Sequence, residues 1–164
     1  MDEIILFPRD YFPEEIIIFI FDDLDLRDLL NLSSTNTWLM NFIRAIKWEN
    51  IYVRIKKNIS YINHVINTFK FINYDLSSSQ ITDESVKLLH GCHTLDLTGC
   101  KKITDDSVKL LHGCHTLDIR YYNKITDSSV KLLHGCHRLY LTGCDNITDS
   151  SVKLLRECGV RVYQ

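Results

Sequence analysis

The sequence predicts an α/β solenoid, parallel strands alternating with short helices, preceded by a small three-helix bundle. Three observations carry this reading. A block opening Ile81-Thr82-Asp83 restarts at Ile103, Ile125 and Ile147, a fixed period of 22 residues. Such a period marks units that bury their apolar faces only against their neighbours. Within each block a segment of helical spacing gives way to strand alternation, as in Leu95-Asp96-Leu97. Residues 8–48, by contrast, hold three apolar stretches at helical spacing and no copy of the block.

The first helix opens at Phe12-Pro13-Glu14-Glu15, with proline near its start and two acids in its first turn. Ile16, Ile17, Ile20, Phe21 and Leu24 give it an apolar face. Asp25 can cap a second helix through Leu26, Leu29, Leu30 and Leu32. A third runs from about Asn36 through Trp38, Phe42, Ile43 and Ile46. A bundle of about 40 residues is near the lower limit for independent folding, so its apolar positions call for a partner.

Phe12-Pro13-x-Glu15, Ile20-Phe21-x-x-Leu24, Asp28-Leu29 and Trp38 together resemble the F-box motif. Phe12 stands where that motif usually has leucine, and Trp38 comes one residue early. The resemblance implies docking to the small adaptor subunit of a cullin-based, SCF-type ubiquitin ligase. Carried over by position, the adaptor-binding residues would be Phe12, Pro13, Glu15, Ile16, Ile20, Phe21, Leu24, Leu29 and Trp38. Without that role the same residues would form the core of a helical cap on the solenoid.

Residues 49–76 form a connector. Ile51, Val53 and Ile55 alternate with Tyr52, Arg54 and Lys56, the period of a half-buried strand. Ile62, Val65, Ile66 and Phe69 have helical spacing, and Tyr74-Asp75-Leu76 stands where later units have Leu95-Asp96-Leu97. The segment reads as strand, helix, strand: a degenerate leading repeat that closes the open end of the array.

Residues 77–164 hold about three full units and a partial fourth. In each, Thr82-Asp83 offers an N-cap, Val86, Leu88 and Leu89 an inner helical face, and Gly91 a stop. Leu95 and Leu97 point inward and Asp96 outward, so stacked units form one parallel sheet with strands about 4.8 Å apart. Leu-x-Leu followed by Cys100 or Cys144 and then Ile-Thr-Asp resembles the cysteine-containing subclass of leucine-rich repeats, in units about four residues shorter than usual. In the second unit Tyr121-Tyr122 replaces Gly-Cys. The last unit loses the His-Gly-Cys-His string, and Val160-Arg161-Val162 reads as a closing strand.

The composition excludes several functions. A formal net charge of -2 argues against a general nucleic-acid binder. Residues 1–50 carry a local net of -6 and residues 51–164 a net of +4, which suggests two modules with different partners. The run from Ile16 to Phe21 is far too short to span a bilayer, and the acidic start is unlike a secretory signal. The expected location is therefore intracellular, cytoplasmic or nuclear, with reduced thiols. Cys92, Cys114 and Cys136, with Cys158 continuing their series, and Cys100 with Cys144, follow the repeat period, as core thiols would. His90 to His93, His112 to His115 and His134 to His137 invite a zinc reading, but a solenoid lays like residues in ladders, whereas zinc needs four converging ligands. No cofactor and no metal are expected. Nor is catalysis, because an active site normally occurs once and these strings recur.

Differences between units gather at outward positions. The target-binding candidates are Asp96, Asp118, Arg120, Tyr121, Tyr122, Arg138 and Tyr140; Tyr and Arg are favoured interface anchors. Four or five strands give a face of only roughly 200–300 Å², against about 800 Å² per partner for a standard interface. Nearby loops must contribute, or the target is a peptide. The two resemblances together imply a non-catalytic substrate-recognition subunit of a ubiquitin ligase, binding the ligase adaptor and an unknown target protein. The alternative is a repeat scaffold for protein interaction with no ligase role. Near-identical short units behind an Ile-, Asn- and Lys-rich connector resemble F-box/repeat proteins of large DNA viruses, for which the compartment would be the host cell's.

Overall fold

The structure is a computed structural model that describes residues 31, 34, 37, 40, 41, 47–55, 59–122 and 124–164. The positions read as adaptor-binding (Phe12, Pro13, Glu15, Ile16, Ile20, Phe21, Leu24, Leu29 and Trp38) lie outside the described residues. Asn31, Thr37, Met40 and Asn41 are helical.

Among the described residues six strands form one sheet in sequence order, and every neighbouring pair is parallel. They are β1 (Lys47–Arg54), β2 (Lys70–Asp75), β3 (Thr94–Asp96), β4 (Thr116–Asp118), β5 (Arg138–Tyr140) and β6 (Arg161–Tyr163). Helices cross between them: α1 (Ile59–Thr68), α2 (Asp83–Val86), α3 (Asp105–Val108), α4 (Asp127–Val130) and α5 (Asp149–Glu157). Parallel neighbours need such crossovers, and a short helix is how each unit makes its own.

The connector supplies β1, α1 and β2, which pair in the same sheet as the repeat strands. Val53 and Ile55 are buried while Tyr52 and Arg54 face outward. Ile62 and Val65 fix α1 to the core, and Tyr74 enters the same apolar row as Leu95, Leu117, Leu139 and Val162. β1 begins at Lys47, before the alternation at Ile51 that announces it, because its register with β2 shifts between Trp48 and Tyr52. An irregular register breaks the period-two signal on which strand reading depends.

Inside each repeat the buried set is Ile81, Val86, Leu89, Cys92, Leu95, Leu97 and their counterparts. One expectation is corrected. Leu88 is 48% exposed, and Leu110, Leu132 and Leu154 are exposed as well. α2 is a single turn that tightens into a 3-10 turn over Lys87–Leu89. Val86 and Leu89, three residues apart, share the inner face; Leu88 is then turned away from it. Gly91 ends this stretch in the left-handed region, at φ +81°. In the last unit Arg-Glu replaces His-Gly, both better helix formers, and α5 runs on for nine residues. Cys158 consequently emerges exposed and leaves the core series that Cys92, Cys114 and Cys136 maintain.

The units are also joined by a polar ladder. Thr104 and Thr126 cap their own helices, accepting from the N–H groups of Asp106 and Ser128. The aspartate beside each threonine reaches instead into the following unit. Asp83 accepts from the Thr104 N–H at 2.8 Å, the Thr104 hydroxyl at 2.7 Å and the Ser107 hydroxyl at 2.6 Å. Asp105 repeats this on Thr126 and Ser129 and adds Ser128 at 2.8 Å. Asp127 accepts from the N–H and hydroxyl of Thr148. Burial pushes the Asp83 and Asp105 carboxyls up, but these donors outweigh it and hold both below the ordinary carboxylate value.

Replacing Asp105 with Ala removes the acceptor of the Thr126 N–H and the shortest contact of the Ser129 hydroxyl, and is expected to lower stability by about 1–3 kcal/mol, measured by urea unfolding. Leu88→Ser should change stability by less than about 0.5 kcal/mol, whereas Leu89→Ala should cost about 2–5 kcal/mol. Equal losses at the two leucines would contradict the exposure pattern.

Candidate protein-interaction face

Strand alternation sends every second side chain of the repeat strands out of the sheet, and parallel register lines these up in rows. One row runs Tyr52, Asn73, Thr94, Thr116, Arg138, Arg161; the other runs Arg54, Asp75, Asp96, Asp118, Tyr140, Tyr163. Six strands at about 4.8 Å make a face of roughly 300 Å². It is wider than four strands would give and still well short of a standard interface of about 800 Å² per partner.

The face is uneven in charge. Arg54 pairs with Asp75 at 2.5 Å. Burial pushes the Asp75 carboxyl up, and hydrogen bonds from Ser77 and Arg54 bring it below the ordinary value. Asp96 accepts from the Thr98 N–H at 2.9 Å. Asp118 does the same for the Arg120 N–H and also holds the Arg120 guanidinium at 2.7 Å. Arg120 then lies over the Tyr140 ring, 5.8 Å from its centroid, within cation–π range. Tyr140 stacks on Tyr163 at 4.6 Å.

Of the residues singled out in the sequence, Asp96, Asp118, Arg120, Arg138 and Tyr140 share this neighbourhood, half-buried at or beside the strands. Tyr121 is exposed at its edge. Tyr122 is corrected: it is only 4% exposed and belongs to the core. Its ring fills the place that Cys100 and Cys144 occupy in the flanking units. Its hydroxyl donates to the Leu97 carbonyl at 2.6 Å and accepts from the Cys100 N–H at 3.1 Å, so the polar tip is satisfied. Of the Tyr121-Tyr122 pair, only Tyr122 puts its ring in the core. The other, on Tyr121, takes the place of a glycine. Gly99 and Gly143 have φ of +69° and +73°, and Tyr121 adopts +64°, a conformation that costs a bulky residue of order 1–3 kcal/mol. The Tyr121 ring lies against Gly143, where a Cβ would sit 2.8 Å from it. Beside it opens a groove of about 630 Å³ bordered by Gly99, Lys101, Tyr121, Lys124 and Asp145.

Arg161 and Tyr163 lie outside the sequence-based candidates. The closing strand is Arg161–Tyr163, one residue beyond Val160-Arg161-Val162, and the alternation around Val162 is the signal that could place it.

The repeated histidines divide into two groups. His90 sits at the end of its turn with Nδ1 3.2 Å from the Lys87 carbonyl. His93, His115 and His137 instead stack as a column, centroids 4.5 Å apart. Nδ1 of His93 and His115 lies 3.2 Å from the hydroxyls of Thr94 and Thr116. His137 is followed by Arg138, and its Nδ1 is buried with no partner among the described residues. Among the described residues no three His, Cys, Asp or Glu side chains are grouped to hold a metal ion. Burial pushes the Cys92 and Cys136 thiols up to about 12, far from the thiolate that nucleophilic attack requires.

A family model described as a leucine rich repeat matches residues 93–111, which run from His93 through β3 and α3 to Leu111. Among curated proteins none matches the chain. The parallel sheet alternating with short helices agrees with a leucine-rich-repeat solenoid, and a repeat of this kind points to protein interaction. No helix among the described residues is long and apolar enough to cross a membrane.

The histidine column predicts a pH effect. Burial, then the neighbouring rings of His93 and His137, hold the His115 imidazole below its ordinary value. The unfolded chain therefore binds more protons than the folded one just below about pH 6.5. The stability His115 contributes is complete above that point and is lost as pH falls through the folded value. Urea midpoints should fall between pH 7.5 and 5, and His115→Gln should flatten the slope. Asp83 and Asp105, whose values are depressed below about 3.8, lose their contribution only at lower pH.

Proposed function

We propose that this chain is a non-catalytic substrate-recognition subunit of a cullin-based, SCF-type ubiquitin ligase. Residues 8–48 dock on the ligase adaptor and the strand face of the solenoid presents a target protein. The observation that carries the reading is an order of modules: an F-box-like motif from Phe12 to Trp38, then stacked repeats with an open, chemically varied strand face. A match to a leucine rich repeat at residues 93–111 supports the second module. The first rests on the resemblance of Phe12-Pro13-x-Glu15, Ile20-Phe21-x-x-Leu24 and Leu29 to the motif. The chain's own part is to hold two proteins near each other. Its buried thiols and recurring His-Cys strings fit that passive role. The cytoplasm or nucleus is the compartment in which such a ligase operates.

A second reading has one observation in its favour: the family match falls within the repeats alone. On that reading the chain is an interaction scaffold without a ligase role, and its helical segment only caps the array.

Co-purification separates the two. Pro13→Ala combined with Ile20→Asp should abolish recovery of the cullin adaptor while circular dichroism and the melting temperature of the repeat array stay unchanged. If the unaltered chain recovers no adaptor at micromolar concentration, the ligase reading is wrong. In the scaffold reading, deletion of residues 1–47 instead unfolds the solenoid.

A further inference from the structure

Two hydrogen bonds recur along the strand face and stabilise each unit. The first joins a stacked histidine to the threonine after it, His93 with Thr94 and His115 with Thr116. The second joins the outward aspartate to the N–H two residues on, as in Asp75 with Ser77, Asp96 with Thr98 and Asp118 with Arg120. The β5 unit gives up both. Arg138 replaces the threonine and leaves His137 Nδ1 buried without a partner among the described residues. Tyr140 replaces the aspartate, so the Thr142 N–H loses its carboxylate acceptor. Arg138 gains no ion pair among the described residues, and Tyr140 exchanges a backbone brace for ring contacts with Tyr163 and Arg120 on the open face. A position that breaks the pattern of its neighbouring copies is where function is to be sought.

The two substitutions build a coherent surface. Arg138 stands in register with Arg161, and Tyr140 with Tyr163. The two rings stack at 4.6 Å, and Arg120 lies over the outer face of the pair, 5.8 Å from the Tyr140 centroid. Asp118 occupies the Arg120 guanidinium. Arg138 and Arg161 have no carboxylate within ion-pair distance among the described residues. Two adjacent unpaired guanidinium groups beside a stacked aromatic platform suit carboxylates carried on a flat, extended chain.

We propose that Arg138, Arg161, Tyr140 and Tyr163 form a docking site for an extended acidic peptide segment of the partner protein. This rests on the reading of the strand face as the interaction surface and names the chemistry of its partner. The small area of the face favours an extended segment over a folded domain. Single-stranded nucleic acid also likes arginine beside stacked rings. Here, however, Asp118 and Asp96 lie on the same face one and two strands away, so a polyphosphate would run its evenly spaced charges past both aspartates, whereas a peptide can confine its carboxylates to the two arginines.

The test uses the full chain and three labelled probes: a short glutamate-rich peptide, a matched lysine-rich peptide and a short single-stranded oligonucleotide, read by fluorescence anisotropy. The acidic peptide should bind at least about tenfold more tightly than either other probe and weaken as salt rises. Arg138→Thr with Tyr140→Asp copies the neighbouring units. It should restore the partner of His137 while giving up the Tyr140–Tyr163 stack, keep a cooperative melt, and lose at least about tenfold in peptide affinity. Arg161→Ser, on the exposed closing strand, should weaken the peptide without touching the histidine column. Preference for the lysine peptide or the oligonucleotide overturns the proposal. So does absence of acidic-peptide binding, or unchanged affinity in both variants. Adaptor recovery through residues 8–48 is read separately, so this site can fail while the ligase reading stands, and the reverse.

Discussion

The aspartate that opens each repeat helix is the constraint on which the stacking depends. A four-residue helix has too few internal hydrogen bonds to hold itself or to set its distance from the next one. Asp83, Asp105 and Asp127 do this by gripping the backbone N–H and hydroxyl of the following threonine, and at Asp83 and Asp105 a serine as well. The grip serves two ends of the fold at once. It satisfies a donor at the next helix start, and it clamps one unit to its neighbour on the side away from the sheet. Strand pairing clamps the other side. Between these two polar seams lies the apolar core, from Ile81 and Val86 to Leu95 and Leu97 and onward through their copies.

Much of this was legible in the sequence. The period placed the helices and strands of every unit, the inward strand leucines and the recurring cysteines, and the connector's alternation announced a strand with Val53 and Ile55 inward. The aspartate ladder was not visible, because capping arguments are local and the partner lies 21 residues on. Leu88 was misplaced for a different reason. Three apolar residues in a row of four imply a broad inner face only if the helix continues, and the sequence gives no measure of how soon it tightens. The early start of β1 was hidden by its register shift. Tyr121 and Tyr122 are identical residues with opposite fates. Superposing them on Gly99 and Cys100 assigns one to a left-handed turn and the other to a core socket, but composition alone assigns both to the surface.

The face and the fold compete at β4 and β5. Tyr121 accepts a backbone conformation suited to glycine, and Tyr122 fills a thiol's place with a ring whose hydroxyl must find two backbone partners. One unit later Arg138 and Tyr140 displace residues that elsewhere brace the strands. These departures are contiguous in space although they are spread over twenty residues of chain. The remaining copies stay almost interchangeable and act as a rigid mount. Chemical identity is thus concentrated in one third of the array, and the charge reverses from aspartates to arginines across adjacent strands.

The single-turn helices also bear on how the chain assembles. A helical nucleus is unfavourable until several turns form, so α2, α3 and α4 have no life apart from their neighbours. α1 and α5, of ten and nine residues, flank them in the chain. Each lies beside a strand, α1 before β2 and α5 before β6. The expected pathway is therefore nucleation at these two sturdier ends followed by zipping toward the middle, each new unit paid for by contacts with a finished one. Tyr121, after β4, falls in the middle of the array, where its strain delays no nucleus and slows only the last steps, whereas His137, whose carbonyl accepts from the Arg161 N–H, lies in the first unit added to the C-terminal nucleus.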